Sequence, residues 1–230
     1  MARSVHTQPR RVRAPRRVRL PHARRGDRDP ATQRSLARSL KAWGIILEPA
    51  PDSPLSEAAP LPRIRVRRPP RGYHHPLGRS EIASALRFFG EACTYGLREI
   101  ELSSRPSGDN RRLQFGRLIV PGRVVLYPQP SGPWRLLGLL SEGERIRLER
   151  AGATVEILAG GLHTVVSWPE RTLGYFMLFD VLLHEVGHHI VQQYTGKRRV
   201  RVARTRDHES FAESFARRCR LLNEKAHAGK

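Results

Sequence analysis

The sequence predicts an α+β domain over roughly residues 75–225, with one helix and a small sheet followed by two long helices, behind a basic, proline-rich arm. Three observations predict it. Twelve of the 18 prolines and nineteen of the 42 lysines and arginines precede residue 80, against five of the 21 acidic residues. Between residues 97 and 168, short alternations of apolar and polar residues separated by turn residues read as strands. From Pro169 onward the apolar period lengthens to that of a helix.

Residues 1–72 read as an arm and linker. So much proline and arginine with so little apolar surface cannot offset the entropy of ordering a chain. Within it lie a basic arm (Met1–Arg28), a short helical stretch (Ala31–Trp43) and a proline-rich linker (Pro49–Pro70). The net charge of +21 points to nucleic acid or an anionic surface as a partner of this arm. Lysine, however, occurs only at Lys41, Lys197, Lys225 and Lys230. Such a preference for arginine also follows from codon bias in a GC-rich genome. No aromatic residue interleaves Arg10–Arg28, so base stacking is not expected of the arm.

Two cysteines, Cys93 and Cys219, are too few and too far apart in sequence for a disulfide scaffold or a thiolate metal site, which favours a reducing compartment. The N-terminal stretch has no apolar run of the secretory kind. The longest apolar run, Leu173–Leu183, contains Asp180 and is too short to span a bilayer. A soluble, cytoplasmic protein without membrane contact is expected.

The elements follow in order. Ser80 reads as the N-cap of a helix carrying Ile82, Leu86 and Phe89 at helical spacing. Leu97–Ser103 alternates as a half-buried strand, and Arg117–Tyr127 as a hairpin turning at Val120-Pro121-Gly122-Arg123. Ser141–Ala151 reads two ways: Ser141 with Glu144 forms a capping-box pattern and Gly152 a stop, which favours a helix, while Ile146 and Leu148 alternate as in a strand. Thr154–Leu158 and His163–Trp168 make a second hairpin across Gly160-Gly161. Ser167 and Pro169 open a helix to about Thr195, stopped at Gly196. After a basic loop, Lys197–Arg206, Asp207 caps the last helix.

The long helix contains His184-Glu185-Val186-Gly187-His188, the pattern H-E-x-x-H. Residues four apart on a helix share a face about 6 Å apart, so both imidazoles can reach one metal ion. Neutral imidazole is a good zinc ligand. Glu185 is rotated by roughly 100° from the first ligand, beside the metal rather than on it, where a carboxylate can deprotonate a bound water. Four apolar residues, Phe179 and Val181–Leu183, anchor the helix just before the motif.

Glu209 and Glu213 follow on the last helix, four apart on one face, with Phe211, Ala212, Phe215 and Ala216 making the neighbouring face apolar. One of the two can ligate the metal while the other accepts an N–H from a ligand histidine. Spacing leaves open which does which, although Glu209 opens the helix and Glu213 lies a turn deeper. His208 is an alternative third ligand. Asp180, one turn before His184, can buttress it or find a local partner. His189 reads as a surface histidine, Tyr194 as a candidate donor to an oxyanion, and His74-His75 as inert linker residues.

His184-Glu185-Val186-Gly187-His188 with Glu209-Ser210-Phe211-Ala212-Glu213-Ser214-Phe215-Ala216 resembles the gluzincins, the thermolysin-like zinc peptidases. The E-x-F-A-E-x-F form looks most like lethal-factor-type metalloproteases and the small cytoplasmic peptidases that cleave phage repressors. The resemblance covers Leu182–Arg220. It implies a zincin-like domain with a small sheet, an active-site helix and a following ligand-bearing helix. It also implies Glu209 as the third zinc ligand and Glu213 behind the ligands.

The expected activity is zinc-dependent hydrolysis of a protein or peptide substrate. His184, His188 and Glu209 hold the metal, and Glu185 is the general base. In zincins the strand before the active-site helix belongs to the sheet that holds the substrate, so His163–Trp168 is the expected cleft wall. The rival expectation is a non-catalytic protein of zincin fold that uses its basic arm on nucleic acid or an acidic partner. A pure binding protein has no need of Glu185.

Overall fold

The computed structural model describes residues 61–106, 114–169, 171–194 and 206–228. The short helix expected over Ala31–Trp43 and the basic loop Lys197–Arg206 lie wholly or almost wholly outside the described residues, as do the side chain of Tyr194 and the stop at Gly196.

Among the described residues the architecture is mixed α+β with small sheets. A four-stranded sheet has the order β1 (Arg63–Val66), β3 (Glu99–Leu102), β5 (Arg123–Leu126), β4 (Gly116–Ile119). The first three strands run parallel, and β4 pairs antiparallel with β5 at one edge, with Leu118 opposite Val124. Helix α1 (Arg79–Phe89) links β1 to β3 as a crossover and buries Ile82 and Leu86. Parallel neighbours require such a crossover. The helix starts at Gly78 rather than Ser80, because Gly78 N–H donates to the Glu81 carboxylate at 2.6 Å.

A two-stranded ribbon, β2 (Tyr73–His74) with β6 (Gln129–Pro130), and a three-stranded antiparallel sheet complete the β structure. The latter orders β7 (Trp134–Leu137), β9 (His163–Ser167) and β8 (Thr154–Ile157). Before β8 comes α3 (Glu142–Arg150), which follows a short α2 (Glu91–Thr94) in the helix count. Ser141 caps α3 as expected: its hydroxyl accepts from Glu144 N–H while the Glu144 carboxylate accepts from Ser141 N–H.

The boundary read from composition falls too late. Strand β1 lies inside the stretch taken as linker, yet it pairs residue for residue with β3. Composition averaged over a window registers only its arginines. The period-2 alternation of Arg63 and Arg65 with Ile64 and Val66 is what makes a strand, and it buries Ile64.

The long helix after Pro169 is three segments: α4 (Thr172–Phe176), a π-helical stretch (Met177–Leu182) and α5 (Leu183–Tyr194). The widened turn adds a residue just before the H-E-x-x-H motif, a placement common at functional sites. Within it, Met177, Phe179, Val181 and Leu182 are all buried. An aromatic cluster ties this segment to the sheets. Phe176 packs on Phe115, just before β4, at 4.9 Å and on Trp168 at 5.1 Å, and Trp134 on β7 bridges the other two.

The last helix, α6 (Arg206–His227), packs along α5. Asp207 sits within its first turn rather than before it. Cys219 on α6 and Cys93 on α2 are both buried and meet through their side chains; this contact and burial raise the Cys93 pKa. No described helix is long and apolar enough to cross a membrane.

Candidate metal centre

Three side chains from two helices converge at one point. Nε2 of His184 lies 3.1 Å from Nε2 of His188, one turn along α5. From α6, the Glu209 carboxylate places Oε2 3.5 Å from His184 Nε2 and Oε1 3.5 Å from His188 Nε2. A tetrahedral ion with bonds of about 2.0–2.1 Å has ligand atoms about 3.4 Å apart. The three separations cluster around that value, so two imidazoles and a carboxylate fit one ion. Among the described residues His184, His188 and Glu209 are the one such cluster.

The electrostatics suit ligation. Burial lowers the pKa of His184 to about 4, against the pull of the Glu209 carboxylate and with a further push from His188 and Arg147. A neutral ring keeps the lone pair that a metal requires. His184 and His188 are buried, and Glu209 is mostly so.

Close helix packing delivers Glu209 to the histidines. Gly187 is the residue that permits it. A Cβ at Gly187 would lie 2.8 Å from the Cα of Ala212, so α5 and α6 approach at that glycine more closely than any side chain allows. Gly116 does the same for the sheet, where a Cβ would meet Val181 at 2.8 Å and Leu126 at 3.0 Å. Neither glycine stands out in the sequence. The available signal for Gly187 was its position within the motif, opposite the Ala212 of the apolar face.

Glu185 faces the sheet. Its Oε2 accepts the backbone N–H of Leu118 on β4 at 2.8 Å. Tyr127 N–H donates to Phe115 C=O, which makes odd residues of β4 the ones bonded to β5. Gly116 and Leu118 therefore turn their backbone groups to the free edge, and Glu185 holds one of them. The strand beside the motif is thus β4 and not His163–Trp168, whose strand β9 is central in the other sheet. Adjacency in sequence to the helix does not place β9 beside it in space.

Burial raises the pKa of Tyr127, with Arg117 opposing and Glu185 adding to the rise. Its phenol, just past β5, is within electrostatic reach of that carboxylate. Sequence reading missed Tyr127, since a tyrosine ending a strand carries no signal of its own.

Other expectations resolve differently. Asp180 does not buttress His184; its carboxylate pairs with Arg220 of α6, whose guanidinium also lies over the Tyr175 ring. His189 is buried, 1% exposed, with Nε2 3.0 Å from Tyr95 C=O. It is a core histidine, not a surface one. Nδ1 of His188 is buried with no hydrogen-bond partner among the described residues, so Glu213 does not accept from that ring there. His208 is outside the converging group. His75 bonds to Arg67 C=O through Nε2.

No family model matches the chain, and neither does any curated protein or solved structure.

Proposed function

We propose that the chain is a zinc-dependent peptidase in which His184, His188 and Glu209 hold the metal and Glu185 is the general base. The convergence of two imidazole nitrogens and a carboxylate at tetrahedral spacing, with Glu185 beside them on the same helix, carries this reading. A zinc ion bound there would polarise a scissile carbonyl and acidify a water molecule. Glu185 takes the proton of the attacking water and returns it to the leaving amine. The Leu118 N–H steadies one oxygen of that carboxylate. With the Leu118 N–H held by Glu185, the other outward backbone groups of β4 offer an extended peptide a strand to pair with. Glu213 backs the ligand set from a turn deeper on α6.

The test is zinc reconstitution followed by turnover of a fluorogenic peptide library. Wild type is expected to bind one zinc per chain, and His188→Ala none. Glu185→Gln should retain the zinc and lose at least a thousandfold in turnover, on the order expected for removing the base of a water attack. Equal metal in wild type and His188→Ala would refute the site. Undiminished turnover by Glu185→Gln would refute the mechanism.

A further inference from the structure

We propose that the free edge of β1 is a docking site for an extended acidic segment of a partner protein, taken up as an added strand. The opposite edge of the same sheet, about 14 Å away across three strand spacings, is the one that faces Glu185. The β1 site is therefore separate from the catalytic reading and does not depend on it.

The backbone sets the first condition. Arg63 N–H donates to Arg98 C=O and Arg67 N–H to Leu102 C=O, both on the β3 side. The alternation of a strand then turns the N–H and C=O groups of Ile64 and Val66 away from β3. Among the described residues no strand pairs with that side. Val66 is 48% exposed. An edge with unpaired backbone groups is a template for another strand.

The side chains set the second. A groove of about 800 Å³ runs along Leu61–Arg67 and is walled by Arg79, Ala83 and Arg87 of α1. These three are four residues apart and form one stripe, with the small alanine between two guanidinium groups. Arg79 and Arg87 have no ion pair among the described residues, and neither has Arg63. On the other face of the sheet, Arg65 pairs with Glu99 at 3.0 Å and Arg67 approaches Glu101 at 3.9 Å, while Arg123 shares both carboxylates. Four arginines on that face, Arg63 included, thus face two acids. Both faces of the edge are positively charged.

That pattern selects its occupant. Seven extended residues, about 23 Å, span the groove. Carboxylates at alternate positions of the incoming strand meet Arg63, Arg65 and Arg67. The residues between them meet Val66 and Ala83, flanked by Arg79 and Arg87. A polyphosphate backbone has acceptors for the guanidiniums and the N–H groups but no donor for the C=O groups of Ile64 and Val66. A peptide satisfies both.

The test measures binding of a fluorescent eight-residue peptide of alternating Glu and Val to the full chain by anisotropy, at physiological ionic strength. Because the chain is basic elsewhere, the decisive variant is Val66→Pro. It removes an outward N–H without altering charge, at an edge position where proline is tolerated. It should weaken binding at least tenfold, as should the Arg79→Glu/Arg87→Glu double variant. In wild type, the peptide should slow amide hydrogen exchange at Ile64 and Val66 and leave the already bonded Arg63 and Arg67 unchanged. This readout stands even if Val66→Pro fails to fold. Wild-type affinity in a folded Val66→Pro, or binding without that alternating protection, would overturn the proposal. So would an oligodeoxynucleotide of equal charge that occupies this edge more tightly than the peptide.

Discussion

Replacing Gly187 by alanine tests the geometry of the centre without touching a ligand. The new Cβ would stand 2.8 Å from Ala212 Cα, 3.2 Å from its Cβ and 3.3 Å from its carbonyl oxygen. Carbon atoms rest at about 3.5–4.0 Å, so α5 and α6 must separate by roughly 0.7 Å or more. Glu209 lies one turn before Ala212 on α6 and moves with it, whereas His184 and His188 stay on α5. Metal–ligand distances are held to about 0.2 Å, so a shift several times larger removes the carboxylate from the coordination sphere. Overpacking costs about 1–3 kcal/mol, and exchanging glycine for alanine within a helix recovers about 1 kcal/mol. Gly187→Ala should therefore remain folded, with a net loss of about 0–2 kcal/mol, yet bind zinc at least tenfold more weakly in competition with a chromogenic chelator. A further Ala212→Gly change should not restore affinity, since the closest clash is with Cα, which every residue has. Wild-type zinc affinity in Gly187→Ala, or rescue by Ala212→Gly, would refute this account of how Glu209 is delivered.

The two glutamates separate in a similar assay. Glu209→Ala should reduce zinc affinity more than Glu213→Ala, whose loss is expected to be about 10–100-fold at most as for a group behind the ligands; the opposite order would exchange their roles. Truncation locates the start of the domain. Removing residues 1–60 should leave the thermal midpoint unchanged, whereas removing 1–70 deletes β1 and uncovers β3, Ile82 and Leu86, and should lower it by several degrees. Equal midpoints for the two truncations would show that β1 contributes nothing to the fold.

Local pattern determined a good deal. The capping box at Ser141 and Glu144, the hairpin turning at Val120–Arg123 and the hairpin across Gly160-Gly161 are set by neighbours in sequence, and all three form where the residues indicate. The spacing of His184 and His188 on one helix is equally local, so their proximity was legible from the motif. Tertiary structure alone decided the rest. Asp180 is claimed by Arg220, forty residues away, and His189 by Tyr95, so neither serves where sequence adjacency placed it. Strand β1 carries the period-2 alternation of a strand, but only its pairing with β3 and the core that Ile64 enters set it apart from an arginine-rich linker. Glu185 meets Leu118, 67 residues away, and Glu209 meets both histidines because Gly187 and Ala212 carry no bulk between two helices. Such contacts depend on the distance between elements. That distance is set by the packing of side chains far apart in sequence, which no local period encodes.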